Sequence, residues 1–376
     1  MTLAVIMAGG RSARMRATAG PAHKALVPVL GVTLLERNVC ALLSKGFRHI
    51  AVAVSAHEPE VERYVLGRAR ALATARNARL HCLKEASPRG TIGAVALLDA
   101  IDGSILVVNV DNLTALQLGK LVAFHEASSA AMTVASHIEM MRMPCGELRI
   151  VDGLVAEYLE KPTKRIPASS GTYVLGPKAR AMLDPERRWD APDLVTALIA
   201  QGERVCAFPH DAPWIDVNDA TRLEQAEQLI AEHLDSFEHW DDAPQHEVVA
   251  LLVLSPSSVL LTHRPARAAR YPERWDVPGE ELHRDDTTPR DAARRLLARV
   301  VPGTRPAPEF LASFDDLDVA TGRLVRHHVF VAHAADEPSP PSFDGPALWV
   351  GRQCLERFGP LSAPLVRSLA WAERPR

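Results

Sequence analysis

Short apolar runs alternate with amphipathic segments from Leu3 to about Leu234. Leucine and valine keep helical spacing from Leu34 to Leu43, and Gly46 marks the end of that predicted helix. Alternating strands and helices are typical of a sheet with parallel strands. We therefore predict an α/β domain, whose buried-type strands are residues 3–7, 50–54, 80–83, 105–110, 131–135, 155–159, 172–175 and 205–208.

The pattern begins again after the polar stretch Glu238–Gln245. Apolar runs at 248–254 and 259–263 predict a strand pair, and Pro289–Val300 predicts one clear helix. Further strands are expected near 309–314 and 325–333, followed by a proline-rich stretch, 336–346, and one or two terminal helices. We therefore predict two domains, residues 1–240 and a smaller α+β domain of residues 246–376.

Composition narrows the class of protein. The 376 residues include 46 acidic and 43 basic residues, a near-neutral balance that argues against binding to nucleic acid or to an anionic membrane surface. No apolar run is long enough to span a bilayer, and no signal-peptide pattern is found. The five cysteines form no CxxC pair and are odd in number, which argues against a disulfide framework or a zinc site. We expect a cytoplasmic protein.

The first strand runs into the loop Ala8-Gly-Gly-Arg-Ser-Ala-Arg-Met15. Glycines after a strand let backbone N–H groups approach a polyphosphate, and Arg11 or Arg14 could neutralise its charge. The loop is neither a GxGxxG motif nor a P-loop, so alone it is equally typical of an ordinary turn. Lys24 follows in a region poor in lysine.

Two aspartates follow apolar strands. Asp111 comes after Ile105–Val110, and Asp216 lies in Trp214-Ile-Asp-Val-Asn218. The carboxyl ends of parallel strands are where such sheets present ligand-binding residues. Two carboxylates together with phosphate oxygens suit Mg²⁺, although either aspartate alone could simply cap a helix.

Together these segments resemble the sugar-1-phosphate nucleotidyltransferases, or nucleotide-diphospho-sugar pyrophosphorylases, over residues 1–234. The resemblance implies a Rossmann-like mixed sheet and transfer of a nucleoside monophosphate to a phosphorylated sugar, with release of pyrophosphate. Seven segments match in order: the signature loop 8–15 with Lys24, the base- and ribose-contacting segment 85–94, the first metal motif 108–111, the sugar-phosphate segments 144–147, 160–162 and 170–173, and the second metal motif 214–217.

The resemblance also implies roles for individual residues. Asp111 and Asp216 would bind Mg²⁺, and the catalytic set would be Arg14, Lys24, Asp111, Lys161 and Asp216. Nucleotide-binding residues would be Ala8, Gly9, Gly10, Arg11, Ser12, Glu85, Gly90 and Thr91. Acceptor-binding residues would be Gly146, Glu160, Lys161, Ser170 and Gly171.

Several positions depart from the family pattern. Ser12 replaces a glycine of the loop, and Ala22-His23 stands where a proline usually precedes the lysine. Ser170 replaces an asparagine beside the sugar, and Asn218 replaces a glycine. The departures on the acceptor side put the identity of the sugar in question more than the reaction.

Residues 246–350 resemble a Nudix domain, with Tyr271–Gly279 leading into a helix that carries Arg294 at the expected arginine. Three glutamates that hold divalent ions in active Nudix domains are replaced by Arg295, Ala298 and Arg299. We therefore expect a non-catalytic domain with a solvated basic helix face, or alternatively one that recognises an anion.

Other functions remain open at this point. One is a bifunctional enzyme with Nudix hydrolase activity, against which the missing glutamates argue. Another is a non-catalytic sensor, against which the retained lysines and aspartates argue. A third is the same transfer to a non-sugar phosphate acceptor, as in phosphocholine or molybdopterin nucleotidyltransferases. The sequence specifies neither the nucleoside triphosphate nor the acceptor, and it leaves a homo-oligomer open.

Overall fold

The computed structural model describes residues 2–10, 12–99, 102–268, 270–302, 307–339 and 345–374. Its strands are β1 (Leu3–Ala8), β2 (Pro28–Val29), β3 (Val32–Thr33), β4 (His49–Ser55), β5 (Arg79–Glu85), β6 (Ile105–Asn109), β7 (Asn112–Thr114), β8 (Met132–Arg142), β9 (Glu147–Val151), β10 (Leu154–Leu159), β11 (Thr163–Leu175), β12 (Val205–Pro209), β13 (Trp214–Asp216), β14 (His246–Leu254), β15 (Ser258–His263), β16 (Trp275–Asp276), β17 (Gly279–Glu281), β18 (Glu309–Asp318), β19 (Arg323–His333) and β20 (Ala347–Gly351).

Its α-helices are α1 (Ala13–Ala19), α2 (Leu34–Ser44), α3 (Pro59–Tyr64), α4 (Arg70–Ala75), α5 (Leu118–Ser128), α6 (Pro177–Ala181), α7 (Ala191–Ala200), α8 (Ala220–Glu232), α9 (Leu234–Phe237), α10 (Pro289–Val300) and α11 (Ala363–Ala372). A π-helical turn, Val65–Ala69, connects α3 to α4. No helix in these ranges is long and apolar enough to cross a membrane.

The chain forms two compact units that are interleaved in sequence. The first comprises residues 1–24, 49–66 and 80–222, and the second comprises residues 25–48, 67–79 and 223–376. The second unit therefore contains α2 and α4 as well as the C-terminal strands and helices.

The first unit is built on a seven-stranded sheet of order β12-β8-β11-β6-β1-β4-β5. Strand β1 is parallel to β4 and β6, whereas β11 is antiparallel to both β6 and β8. Apolar side chains of β1, β6 and β11 pack with α7 in one core cluster that includes Val5, Val107 and Leu194. The predicted α/β architecture with a mixed sheet is confirmed.

Strands β8 and β11 are much longer than the apolar patterns predicted. Their inner halves lie in the sheet, and their outer halves remain paired from Ser136 opposite Ser169 to Arg142 opposite Thr163. The hairpin of β9 and β10 lies in the connection between them. The outer halves are mostly exposed, so they lack the burial on which the sequence prediction of strands depended.

The second unit contains another mixed sheet, of order β16-β15-β14-β19-β18, with β17 paired to β14 and β20 paired to β15. Apolar residues of α10, among them Leu296 and Val300, pack on one face of this sheet. Leu365 of α11 packs in a separate cluster with Val259 and Phe314. Helix α10 has the predicted bounds and begins with a capping box formed by Thr288 and Asp291.

A buried ion cluster joins three segments of the second unit. Glu238 accepts hydrogen bonds from Arg37 of α2 and from Arg367 of α11, and all three side chains are buried. Burial lowers the pKa of Arg37 to about 10 and that of Arg367 to about 9. The Arg367 guanidinium also lies 3.8 Å from the centre of the Phe314 ring. The polar stretch that suggested a boundary in the sequence thus begins with a buried carboxylate.

Candidate active site

A pocket of about 470 Å³ opens where β1 and β6 end, and all its lining residues belong to the first unit. Six predicted nucleotide or catalytic positions line it together with Asp111, which lies two residues after the end of β6. The lining residues are Met7, Gly9, Gly10, Lys24, Glu85, Pro88, Arg89, Gly90, Thr91, Asn109, Asp111, Arg188 and Asp190.

The glycine loop has the compact geometry expected of a phosphate-binding turn. A Cβ at Gly9 would lie 1.8 Å from Glu85 Oε2, so this position has no room for a side chain. Ser12 has a φ of 53°, in the left-handed region that favours glycine, which explains the residue type usual at this position. Its hydroxyl accepts a hydrogen bond from the Lys24 backbone N–H at 3.1 Å. Arg11 lies outside the described residues.

His23, which stands in place of the usual proline, supports this loop. It is fully buried, and its Nε2 lies 2.7 Å from the Gly10 carbonyl oxygen. Burial lowers the pKa of His23, so its imidazole is neutral at neutral pH. The histidine therefore fixes the backbone of the loop through a neutral hydrogen bond.

Lys24 and the two aspartates form one electrostatic group. Lys24 Nζ lies 2.5 Å from Asp111 Oδ2. Strand β13 pairs Asp216 with Asn112, the neighbour of Asp111, which brings the two carboxylates to one place. Burial and the charge of Asp111 raise the pKa of Asp216, while Lys24, a hydrogen bond from Asn218 and the charge of Arg14 oppose the rise. Of the four predicted residues, Lys24 and Asp111 line the pocket, whereas Asp216 and Arg14 lie outside its lining and belong to the group through the charge interactions of Asp216.

The aspartates suit a hard cation. Asp216 Oδ1 is buried and has no hydrogen-bond partner among the residues that the structure describes. No set of three or more histidine, cysteine or acidic residues in the same ranges could hold a metal ion. Mg²⁺ commonly binds through one or two carboxylates, with waters and substrate phosphates completing its shell, so the two aspartates fit it.

Another part of the pocket wall is formed by Glu85, which lies next to Gly9, and by residues 88–91. Glu85 is buried, accepts a hydrogen bond from the Arg89 N–H, and has a pKa raised by burial. Gly90 has a φ of 86°, and a Cβ there would lie 2.3 Å from the Trp189 carbonyl oxygen. Thr91 N–H donates to Asp190 Oδ1 at 2.8 Å, which anchors the segment to the start of α7.

Ser170, which contacts the neighbour of Asp111, Asn112, lies at the centre of a cluster of polar side chains. Its hydroxyl lies 2.7 Å from His210 Nε2 and 3.1 Å from His137 Nδ1. Its carbonyl accepts hydrogen bonds from Asn112 and from the Trp214 indole. The His137 ring packs against Trp214 with centroids 4.3 Å apart. Burial and the nearby His137 lower the pKa of His210.

Gly171 belongs to the same region. A Cβ at this position would lie 2.5 Å from Asn112 Nδ2 and 2.9 Å from Asn109 Nδ2, so the two asparagines pack directly on the glycine. Asn109 also lines the pocket. The predicted acceptor residues Ser170 and Gly171 therefore lie next to the pocket wall.

The remaining predicted acceptor residues lie elsewhere. Glu160 and Lys161 follow β10, their side chains are 62% and 50% exposed, and they lie 3.9 Å from each other. Neither they nor Gly146 line the pocket. Their assignment to the acceptor stays a prediction.

Sequence reasoning missed several residues of the site. Arg188 and Asp190 reach the pocket from the start of α7, about one hundred residues after the segment they contact. The order Asp190-Ala-Pro-Asp193 before an apolar helix is a capping signal, but a cap says nothing about a pocket. His137 reaches Ser170 because the outer halves of β8 and β11 pair, and His210 does so because β12, which it follows, pairs with β8 up to Ser136.

The arginines of α10 lie on an exposed face of the helix, as expected from the sequence, and they also form ion pairs. Arg295 pairs with Glu280 and Asp286, and Arg299 pairs with Glu280 at 2.9 Å. Arg294 lies 3.8 Å from Asp291. Carboxylates from outside the helix therefore pair with Arg295 and Arg299, at positions where a divalent cation site would need glutamates. Recognition of an anion by these arginines, the alternative drawn from the sequence, stays a prediction.

Known proteins resemble the first part of the chain. It is 30% identical over 251 residues to the bifunctional protein GlmU of an Exiguobacterium species, covering 60% of this chain and 52% of that protein. It is 25% identical over 223 residues to the mannose-1-phosphate guanylyltransferase catalytic subunit beta of Drosophila pseudoobscura pseudoobscura, covering 57% and 59%. It is 26% identical over 231 residues to the mannose-1-phosphate guanylyltransferase of Mycobacterium tuberculosis, covering 57% and 60%.

The chain thus spans between about half and three fifths of the length of these curated relatives. Residues 3–233 match the family model described as nucleotidyl transferase. This match covers more than half of the chain and contains the glycine loop, Lys24 and both aspartates, and so the chain belongs to the nucleotidyl transferase family.

Proposed function

We propose that this protein transfers a nucleoside monophosphate from a nucleoside triphosphate to a sugar-1-phosphate and releases pyrophosphate. The observation that carries the proposal is the pair of Lys24 and Asp111 beside a glycine loop in one pocket, with the Asp216 carboxylate close enough to Asp111 for the charge of Asp111 to raise its pKa. Two of the relatives are mannose-1-phosphate guanylyltransferases, which agrees with this class of reaction.

The reaction needs positioning and charge neutralisation. An oxygen of the acceptor phosphate forms a bond to the α-phosphorus, the bond from that phosphorus to the β-phosphate bridging oxygen breaks, and pyrophosphate leaves. No covalent enzyme intermediate is required. A pocket that fixes both phosphates and supplies positive charge is sufficient to lower the barrier.

We propose Mg²⁺ as the cofactor, held by Asp111 and Asp216. When bound, it would neutralise negative charge on the reacting phosphates. The chain's own residues would supply the remaining contacts with the phosphates. The backbone of Gly9 and Gly10 lies against the triphosphate, Lys24 places its ammonium near the α-phosphate, and Arg14 faces the departing phosphates.

For the acceptor, the half-buried Gly171 and His210 offer a neutral, hydrogen-bonding surface, and the fully buried Ser170 orients His210 from below it. His210 is neutral at neutral pH because its pKa is lowered, so it can exchange hydrogen bonds with hydroxyl groups without adding charge. Sugar hydroxyls suit such a surface. Glu160 and Lys161, the remaining acceptor residues, would bind a hydroxyl and the acceptor phosphate.

A pyrophosphate-release screen tests the proposal. The purified protein is mixed with each common nucleoside triphosphate, Mg²⁺ and a panel of sugar-1-phosphates, with phosphocholine and other non-sugar phosphates included. We expect release with at least one sugar-1-phosphate and none from Asp111→Asn. Release only with a non-sugar acceptor would replace the acceptor class, and no release with any pair would contradict the reaction.

We further propose that residues 246–376 are a Nudix-like domain without hydrolase activity. Water activation in such a domain needs several carboxylates on one helix, and α10 offers Arg295 and Arg299 in ion pairs instead. The test uses the full chain carrying Asp111→Asn, so that transfer is silent. Chelator-sensitive hydrolysis of nucleoside-diphosphate sugars by this variant would contradict the proposal.

A further inference from the structure

Exposed apolar side chains concentrate in one part of the first unit. Of the sixteen large apolar residues that are exposed among the described residues, eleven lie between positions 138 and 166. We call this segment the β-arm: the outer halves of β8 and β11 together with β9 and β10. Its exposed apolar residues are Ile138, Met140, Met141, Leu148, Ile150, Val151, Leu154, Val155, Tyr158, Leu159 and Ile166.

The hairpin of the β-arm is uncovered on both faces. Every residue of β10 and four of the five residues of β9 are exposed. Alternate residues on a strand share a face, and directly opposite residues of antiparallel strands do also. Leu148 and Ile150 face Tyr158 and Val155 in this register, so one face is a continuous apolar stripe. A two-stranded hairpin alone in water is only marginally stable, so this face requires a cover.

The balance of charges on the β-arm indicates which kind of surface could pack against it. Residues 138–166 contain five acidic and five basic side chains, a net charge of zero. Several pair within the arm: Arg149 lies 3.3 Å from Glu157, and Lys164 lies 2.5 Å from Glu147. A surface without excess charge does not select an acidic or a basic partner, nor an anionic membrane. It matches another surface of the same composition.

We propose that the β-arm binds the β-arm of a second copy of this chain. Counted over both faces of the β-arm, the eleven apolar residues together expose on the order of 1,000 Å², the same order as the roughly 800 Å² that each partner buries in a standard interface. Two copies related by a two-fold axis would place the apolar stripe of one on that of the other. Sugar phosphates and nucleotides are too polar to replace such a cover.

The mass of the protein in solution tests this inference, and no substrate is needed, so the result is independent of the proposed reaction. Sedimentation equilibrium or light scattering should give twice the 41.0 kDa chain mass at micromolar concentration and above. The test variant is Ile150→Lys with Val155→Glu. These residues are directly opposite, so the new charges attract across the hairpin and preserve it while removing the stripe.

A matched control substitutes Ile199→Lys on α7, because Ile199 and Ile150 are both 61% exposed. We expect the double variant to be monomeric and the control to keep the wild-type mass. A wild-type protein that is monomeric at every concentration, or a double variant that stays dimeric, would overturn the inference.

Hydrogen exchange supplies a readout that does not depend on the variants. On dilution of the wild-type protein below its dissociation constant, amides of residues 147–159 should exchange faster, while those of α10 should not change. Exchange in 147–159 that is independent of concentration across dissociation would equally overturn the proposal.

Discussion

Gly9 lies where β1 ends, and its missing side chain leaves space for the Glu85 carboxylate. The sequence indicated a phosphate-binding loop here, but not this reason for the glycine. The close neighbour comes from β5, more than seventy residues later, and pairwise packing of that kind cannot be read from spacing. At Ser12, by contrast, the family pattern was informative. The glycine usual at this position predicts a left-handed backbone, and Ser12 has that conformation.

Gly9→Ala should therefore impair binding of the triphosphate. The added methyl group would displace Glu85 and widen the loop, and we expect at least about a tenfold loss in kcat/KM for the triphosphate. Gly119→Ala on α5 is the matched control, because a Cβ there has no heavy atom within 4 Å in the described structure. Equal activity of the two variants in steady-state kinetics would contradict the assigned role of the loop.

The ionised Asp216 carboxylate should lower the free energy of unfolding of the protein, although it supports activity. Its folded-state pKa is raised by burial and by Asp111, so the folded protein favours the protonated acid. Stability from this group is full below the unfolded pKa and declines as pH rises through the folded pKa. Asp216→Asn should thus raise the melting temperature at neutral pH in the presence of chelator, and lower kcat roughly a hundredfold with Mg²⁺.

Calorimetry at several pH values and pyrophosphate release provide the two measurements for Asp216. The rise in melting temperature should shrink at acidic pH, where the wild-type carboxyl is protonated. Asn218 donates to Asp216 Oδ2 at 2.9 Å, a bond that an asparagine oxygen can still accept, so the fold is preserved. A less stable but fully active variant would show that Asp216 is structural.

At the scale of elements, apolar patterns located strands and helices but did not show which strands are buried. Residues 155–159 were predicted as a buried-type strand and do lie in β10, but every residue of β10 is exposed. Helix α10 was predicted with its bounds because it combines Thr288 and Pro289 at its start with a buried stripe. The outer halves of β8 and β11 were missed, since exposed strands carry no alternation of buried and polar residues. The polar cluster at Ser170 depends on those strands and was missed with them.

Helix α10 also allows a test of the arginines that occupy the positions where active Nudix domains carry glutamates. Arg295→Glu would place a carboxylate beside Glu280 and Asp286, which now pair with the arginine. We expect a lower melting temperature from like-charge repulsion, partly restored by Mg²⁺, and no hydrolase activity. Arg290→Glu, on the same helix, is the control and should change stability little. A melting temperature unaffected by Arg295→Glu would show that these ion pairs contribute nothing.

At the scale of the whole molecule, the chain passes between its two compact units several times. The sequence suggested one boundary, between residues 240 and 246, because composition becomes polar there. It could not show that α2 and α4 belong to the same unit as the C-terminal strands. Their attachment to the later part of the chain depends on Glu238, which pairs with Arg37 of α2, and on the ion pair of Arg76, at the end of α4, with Asp242.

Glu238→Ala should destabilise the second unit strongly. It would leave the buried guanidinium groups of Arg37 and Arg367 without their shared carboxylate, and removing one partner of a buried ion pair costs about 3–5 kcal/mol. Asp241→Ala removes an exposed partner of Lys45 from the same segment and should cost less than about 1 kcal/mol. Denaturant unfolding measures both, and equal effects would contradict the importance of the buried cluster.

The interleaved units predict how the chain responds to being cut. Residues 246–376 alone would lack α2, α4 and Glu238. Arg367 would then lose its carboxylate partner. Asp316, a buried acid whose pKa burial raises to about 7, would be exposed to water. We expect this fragment to melt at a lower temperature than the full chain and to bind a hydrophobic dye. Coexpression with residues 1–245 should restore cooperative unfolding, because it returns the missing elements. A fragment that unfolds alone as cooperatively and at the same temperature as the full chain would show that the boundary near residue 245 separates independent domains.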